Sequence, residues 1–126
     1  MPSILIVDDD EGMVETLGDI LAARNYDVAT APSGEAAIEH VRRAAFDVVL
    51  MDIKMPGLNG VEALQVMRRS TPALKVIMMT AFTRDELVDQ AHRATAVAVV
   101  AKPLDLDRLL AVVDDVARSP RERRKD

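Results

Sequence analysis

Five short apolar runs recur along the chain, and stretches with helical periodicity separate them. Most runs are continuous rather than alternating, as expected of strands that helices cover on both faces. They are Ile4–Val7, Tyr26–Ala29, Val48–Met51, Val76–Met79 and Val97–Val100. Five strand–helix units predict an α/β domain with a parallel sheet, right-handed crossovers and helices on both faces.

Polar residues mark where the intervening helices begin. Ser33 is predicted to cap the second helix, and Thr83 stands at capping-box spacing before Glu86 at the start of the fourth. The last helix is predicted to begin after Asp105 and to end before Pro120.

Length and charge divide the chain into one domain and a tail. A chain of 126 residues fits a single domain, here residues 1–118. Residues 118–126 carry a net charge of +3 although the whole chain carries −5. Residues 119–126 are predicted to be a charged, disordered tail or the start of a linker, with a weak electrostatic contact as the alternative.

Composition excludes several classes of protein. The absence of cysteine excludes disulfides, thiolate metal sites and a thiol nucleophile. No apolar run approaches the ~20 residues that span a membrane, and the N-terminus lacks a signal-peptide pattern. The acidic body does not favour direct nucleic-acid binding. We therefore expect a cytoplasmic protein that binds neither membrane nor nucleic acid.

Polar residues of a coherent chemistry follow four of the five runs. Asp8 and Asp9 follow the first run and Asp52 the third, whereas Thr80 follows the fourth and Lys102 comes shortly after the fifth. Because parallel strands end at the same edge of a sheet, where ligands bind in such folds, we expect these side chains to meet.

Crowded carboxylates repel one another, and a hard divalent cation removes that cost. Mg²⁺, or Mn²⁺ in its place, suits an oxygen set formed by the acidic pair, Asp52 and a backbone carbonyl just past Asp52. Lys102 and Thr80 then face a second anion, and a phosphoryl group fits this arrangement. Asp52 is the best candidate nucleophile because it lies at the centre.

Four motifs carry a resemblance to a known family. The chain resembles the receiver domain of bacterial two-component response regulators, including single-domain chemotaxis and sporulation regulators, from about Ser3 to Arg118. The matching stretches are Ile4–Asp10 (ILIVDDD), Met51–Gly60 (MDIKMPGLNG), Met79–Ala81 (MTA) and Lys102–Pro103 (KP). The resemblance implies a flavodoxin-like (βα)5 fold with sheet order 2-1-3-4-5.

The resemblance also implies a role for each site residue. Asp52 would be the phosphoacceptor, and Mg²⁺ would be bound by Asp9, by Asp8 directly or through water, by Asp52 and by the carbonyl of Lys54. Thr80, Ala81 and Lys102 would bind the phosphoryl group and form the switch. The peptide between Lys102 and Pro103 would be cis, which is accessible because an X–Pro bond has only a small trans preference.

These roles imply a signalling switch rather than an enzyme that acts on a separate substrate. A phosphoryl group would pass from a sensor histidine kinase or a phosphotransfer protein to Asp52 and change the conformation that a partner or output reads. A haloacid-dehalogenase-type phosphatase is a rival, but Lys54 stands where that class has its second aspartate. The other rival is an interaction module with this fold that works without phosphorylation.

Three positions distinguish this chain within the resemblance. Val99 stands where the family usually has Tyr or Phe, which removes the aromatic side chain whose rotamer follows phosphorylation. The apolar segment Ala94–Ala101 predicts a homodimer or effector surface on the face of the fourth helix, fifth strand and fifth helix. Lys54 and Phe82 occupy positions that control phosphate lifetime, and their bulk predicts slow self-hydrolysis. A small polar residue in place of Phe82 should speed phosphate loss.

Overall fold

Strands and helices alternate along the whole described chain. The structure, a computed structural model, describes residues 1–81 and 86–118. Its elements are β1 (Ser3–Val7), α1 (Glu11–Ala23), β2 (Asp27–Ala31), α2 (Gly34–Arg43), β3 (Val48–Asp52), α3 (Gly60–Ser70), β4 (Val76–Thr80), α4 (Glu86–Arg93), β5 (Ala98–Ala101) and α5 (Leu106–Ala117). The strands pair in parallel in the order β2-β1-β3-β4-β5, which confirms the flavodoxin-like α/β fold.

The central strands are continuous apolar runs because helices cover both of their faces. Every residue of β3 and β4 is buried. Successive side chains of β1 alternate between two cores: Ile4 and Ile6 pack with α1 and α5, whereas Leu5 and Val7 pack with α2 and α3. Strands β2 and β5 lie at the sheet edges and are more exposed.

Each of the five strands differs from its predicted run by one or two residues at one end or both, and two strands begin later than predicted. Strand β2 spans Asp27–Ala31 and not Tyr26–Ala29, and β5 begins at Ala98 and not at Val97. Tyr26 was included in the predicted strand because it continues the apolar run. Its ring is buried against α1 and α5, and its hydroxyl donates a hydrogen bond to Asp114. Val97 precedes the strand and is 49% exposed. An apolar residue at these two positions therefore does not indicate that the residue belongs to a strand.

Short polar side chains cap the starts of α1, α2, α3 and α5. Asp10 Oδ1 accepts from the Met13 amide at the start of α1, Ser33 caps α2 as predicted, and Asp105 caps α5. Asn59 and Glu62 form a reciprocal capping box on α3. The predicted cap Thr83, Pro120 and the tail lie outside the described residues.

Candidate functional site

The carboxyl ends of β1 and β3 bring three carboxylates together. Asp8 and Asp9 directly follow β1, and Asp52 is the last residue of β3. One carboxylate oxygen from each lies within 4.8 Å of the others. Asp8 and Asp52 are buried and Asp9 is exposed, so the cluster opens to solvent on one side. The predicted meeting of these side chains occurs because neighbouring parallel strands end at one rim.

A single lysine lies between the two buried carboxylates. Lys102 Nζ donates a hydrogen bond to Asp8 Oδ2 at 2.8 Å and lies 3.4 Å from Asp52 Oδ2. The other Asp8 oxygen accepts from the Asp10 amide at 3.0 Å. Burial alone would lower the pKa of Lys102, but hydrogen bonds and charges from Asp8 and Asp52 outweigh it and raise that pKa. Lys102 therefore remains charged in the site.

One ammonium group does not neutralise three carboxylates. Burial raises the pKa of Asp52, the charge of Asp8 raises it further, and Lys102 opposes both effects only in part. The ionised form of Asp52 is therefore less favoured in this site than it would be in water. A hard divalent cation suits this all-oxygen donor set, and Asp8, Asp9 and Asp52 are the residues that would hold it.

The remaining predicted site residues lie on the same rim. Thr80 ends β4 beside Asp52 and is 1% exposed, and the exposed Ala81 follows it. The amide of Lys102 donates to the Thr80 carbonyl at 2.8 Å, which holds the end of β5 against the end of β4. The Lys102–Pro103 peptide is cis, as the resemblance implies.

The two predicted lifetime positions differ in what the structure describes. Lys54 is exposed and lies two residues past the end of β3, in the loop that leads to α3. Phe82 lies outside the described residues. The prediction of slow self-hydrolysis therefore stays a prediction.

Two contacts hold the loop between β3 and α3 beside Asp52, and sequence reasoning missed both. The Gly60 amide donates to the Ile53 carbonyl at 2.6 Å, and a Cβ on Gly60 would lie 2.5 Å from the Asp52 carbonyl oxygen. The Glu35 carboxylate of α2 accepts from the Leu58 amide at 3.4 Å, so α2 contacts the loop between β3 and α3. The only sequence signal was that Gly60 ends the second motif, since neither contact leaves a local pattern.

The face formed by α4, β5 and α5 contains Val99, which stands where the family usually has Tyr or Phe. Val99 is half-buried on β5, packs against the core and pairs with Met78. A cavity of about 280 Å³ lies beside it, between β5 and the start of α5, with Leu104 and Arg108 in its lining.

Comparison with known proteins identifies the family. The model of the response regulator receiver domain matches residues 4–114. This chain belongs to the response regulator receiver domain family. The receiver domain resembles the transcriptional regulatory protein ZraR of Salmonella typhimurium, with 37% identity over 119 residues that cover 94% of this chain and 27% of that protein. The chain spans about a quarter of the length of the ZraR proteins that it matches.

Solved structures place the receiver domain beside other receivers. The response regulator protein TrrA of Thermotoga maritima, solved in complex with Mg²⁺ and BeF, is 32% identical, with a TM-score of 0.83 over 92% of this chain and 99% of that one. A CheY-like receiver protein of Methanospirillum hungatei is 29% identical, with a TM-score of 0.89 over 93% and 94% of the two chains. These matches agree with the observed strand order and with the assignment of the chain to the receiver domains of two-component signalling.

Among residues 1–81 and 86–118, every helix is too short or too polar to cross a bilayer.

Proposed function

We propose that this receiver domain accepts a phosphoryl group on Asp52 in a Mg²⁺-dependent reaction and changes conformation in response. The observation that carries the proposal is the position of Lys102 Nζ, 2.8 Å from Asp8 and 3.4 Å from Asp52. A buried carboxylate at the centre of an acidic cluster, with a lysine beside it, is the arrangement that a phosphoryl acceptor needs.

The proposed chemistry is a transfer from a phosphohistidine to a carboxylate. An Asp52 carboxylate oxygen attacks phosphorus, the new O–P bond forms as the N–P bond of the donor breaks, and the electron pair returns to the imidazole nitrogen. A bound Mg²⁺ would supply positive charge against the charge that develops on the phosphoryl oxygens. Asp8, Asp9, Asp52 and the carbonyl of Lys54 are the proposed ligands, and Mn²⁺ suits the same oxygen set.

The proposed transfer changes which groups compete for the ammonium group of Lys102. Before transfer, its ammonium group compensates Asp8 and Asp52, as the contacts above describe. Transfer converts the Asp52 carboxylate into an acyl phosphate with several anionic oxygens, and these compete with Asp8 for the ammonium group. Thr80, at the end of β4, and Ala81 are proposed to complete the phosphate site. A shift of Lys102 and Thr80 is then the first step of the switch.

The donor and the output follow from the family rather than from a contact of this chain. The proposed donor is a sensor histidine kinase or a phosphotransfer protein. The proposed output surface, for a homodimer or an effector, is the face of α4, β5 and α5, where Val97 is 49% exposed. We propose that the domain is a phosphoacceptor and not an enzyme that turns over a separate phosphoester.

A phosphorylation-independent interaction module is the second candidate. Val99 favours it, because no aromatic side chain is available at this position to couple the face to the phosphorylation site. The complete set of Asp8, Asp9, Asp52 and Lys102 favours the phosphorylated switch, since such a buried charge cluster is costly to keep without a use.

Treatment with acetyl phosphate and Mg²⁺, followed by intact mass measurement, separates these functions. The expected product has the added mass of one phosphoryl group, requires Mg²⁺ and is absent from Asp52→Asn. Asp47→Asn is the matched control, because Asp47 is an acid that directly precedes the same strand, at the end opposite to Asp52, and accepts a hydrogen bond from the Ser3 amide. Unmodified protein under all conditions would favour the interaction module. Continuous release of product from a generic phosphomonoester would favour the phosphatase.

A further inference from the structure

An open groove runs between α1 and the edge strand β2, and Asp8, which contacts Lys102, is among its lining residues. It encloses about 500 Å³. Small apolar residues form its floor, namely Val14, Gly18, Ala22 and Val28. Three acidic residues of α1 form its rim, namely Glu11, Glu15 and Asp19. The groove is therefore apolar at its base and negatively charged along one wall.

This wall has no basic counterpart in the described part of the chain. No lysine or arginine is among the described residues that line the groove. Within residues 1–81 and 86–118, no ion pair joins Glu11, Glu15 or Asp19 to a basic side chain. Arginine and lysine suit such a surface, because their aliphatic stems cover apolar groups while their charged ends reach the rim.

The chain itself contains a segment of the complementary charge. Residues 119–126 carry four basic side chains, Arg121, Arg123, Arg124 and Lys125, against two acidic ones. We propose that this C-terminal segment binds in the groove between α1 and β2 of the same molecule. The proposal does not rest on phosphorylation, although the groove shares Asp8 with the proposed metal site.

The end of α5 packs against Tyr26, the residue that precedes β2. The Arg118 guanidinium lies 5.9 Å from the centre of the Tyr26 ring, and the Tyr26 hydroxyl donates to Asp114. Lys75 Nζ donates to the Val116 carbonyl at 2.9 Å and fixes the last turn from the other side. Tyr26 is the residue before β2, and Val28 of β2 lines the groove. The segment therefore starts close to one end of its proposed site.

The length of the segment is sufficient for this path. Eight extended residues span about 26 Å, and crossing beneath the end of α1 takes about 10 Å, the diameter of a helix. The remaining ~16 Å corresponds to about ten residues of helix at 1.5 Å each. From Ala22 this length passes Asp19 and Glu15 and ends near Glu11, so all three acidic residues are within reach.

The spacing of the charges also matches. Glu11, Glu15 and Asp19 are four residues apart on α1, which places them about 6 Å apart along the helix axis. Alternate residues of an extended segment lie about 6.6 Å apart on one side, and Arg121, Arg123 and Lys125 alternate in this way. Each basic side chain therefore meets the next acidic one without a change of direction.

Exposed ion pairs of this kind each change an equilibrium constant by only about 1.4- to 5-fold. The contact is possible because the segment is tethered, which gives it an effective concentration of about 1 mM or more. It should be in fast exchange and sensitive to salt, since ~1 M salt shortens the screening length to about 3 Å. While bound, it would shield the acidic side of α1 from other basic partners.

Backbone amide shifts of the full chain test the proposal. The tail variant replaces Arg121, Arg123, Arg124 and Lys125 with serine, and the groove variant is Glu15→Gln with Asp19→Asn. Both should shift amides of α1 and β2 around Gly18 and Val28, and the difference between wild type and tail variant should vanish in 1 M NaCl. A control variant, Glu39→Gln on α2, should leave the tail-dependent shifts unchanged.

A synthetic peptide of residues 119–126 adds a binding measurement. Titrated into the tail variant, it should move the same amides, with an affinity about 2- to 25-fold lower in a protein that also has the groove substitutions, given two lost ion pairs. Identical groove shifts in wild type and tail variant would overturn the proposal. Shifts that depend on protein concentration would also overturn it, because the segment would then bind a second copy. Tail-dependent shifts confined to another face would contradict it as well.

Discussion

Gly60 supports the phosphorylation site through the backbone, and Gly60→Ala is the most direct test of this close approach. The added Cβ would lie 2.5 Å from the Asp52 carbonyl oxygen and 2.9 Å from Ile53 Cα. A carbon–oxygen contact normally requires about 3.3 Å or more. The start of α3 must therefore move away from the end of β3 by about 0.8 Å. Both neighbours are backbone atoms of a buried strand end, so they cannot turn aside as a side chain would.

The expected cost follows from these contacts. Overpacking a well-packed site costs about 1–3 kcal/mol, and weakening the hydrogen bond from the Gly60 amide to Ile53 adds about 1 kcal/mol. Alanine recovers about 0.5–1 kcal/mol, because glycine is the poorer helix residue. The net loss in the free energy of unfolding should be about 1–3 kcal/mol. The displacement also moves the Asp52 backbone, so phosphoryl incorporation should be slower.

Urea unfolding followed by far-ultraviolet circular dichroism measures the change. Gly12→Ala is the matched control, because a Cβ there meets only Asp10 Oδ1 at 3.6 Å, and that variant should be as stable as wild type or up to about 1 kcal/mol more stable. The rate of phosphoryl incorporation from acetyl phosphate should fall in Gly60→Ala and not in Gly12→Ala. Equal stability of the two variants would refute the inferred close approach.

Three further substitutions test other contacts. Lys102→Met should lower the free energy of unfolding by about 2–4 kcal/mol without Mg²⁺, because it leaves buried carboxylates uncompensated; no loss would show that the ion pair is not formed. Tyr26→Phe should cost about 1 kcal/mol. Burial and the bond to an acid raise the pKa of Tyr26 to about 12, whereas the unfolded phenol ionises near 10. The difference in free energy of unfolding between wild type and Tyr26→Phe should therefore shrink as the pH rises from ~10 to ~12. A difference that stays constant over this range would contradict this pKa. Arg68→Met removes a 2.9 Å hydrogen bond to the Thr95 carbonyl and should speed amide exchange in the turn after α4, unlike Arg69→Met; equal exchange rates would exclude that role.

Local sequence pattern was sufficient for the alternation of strands and helices. Whether a residue is apolar depends on its burial, and in β3 and β4 both faces are buried, so each strand appears as one unbroken run. Caps such as Ser33 and Asp105 were predictable because a capping side chain bonds to an amide three residues away. The same reasoning extended β2 to Tyr26, since a single run cannot separate a residue in a strand from one buried beside it.

The residues of the site could be predicted once the sheet was predicted to be parallel. Once five strands run in the same direction, the residues after them share one rim, so Asp8, Asp52, Thr80 and Lys102 could be assigned to one site. Strand order came from the resemblance, because periodicity contains no information about which strands are neighbours. The sequence also shows no sign that Lys102 lies between two carboxylates 94 and 50 residues away.

The sequence by itself determined the elements, the residue types at each strand end and the charge of the C-terminal segment. Tertiary structure alone decided which of these groups meet. It set the 2.8 Å contact between Lys102 and Asp8, the closeness of Gly60 to Asp52, and the open groove beside α1. The physical reason is range: backbone propensity and capping act within a few residues, whereas packing brings together groups that the chain separates.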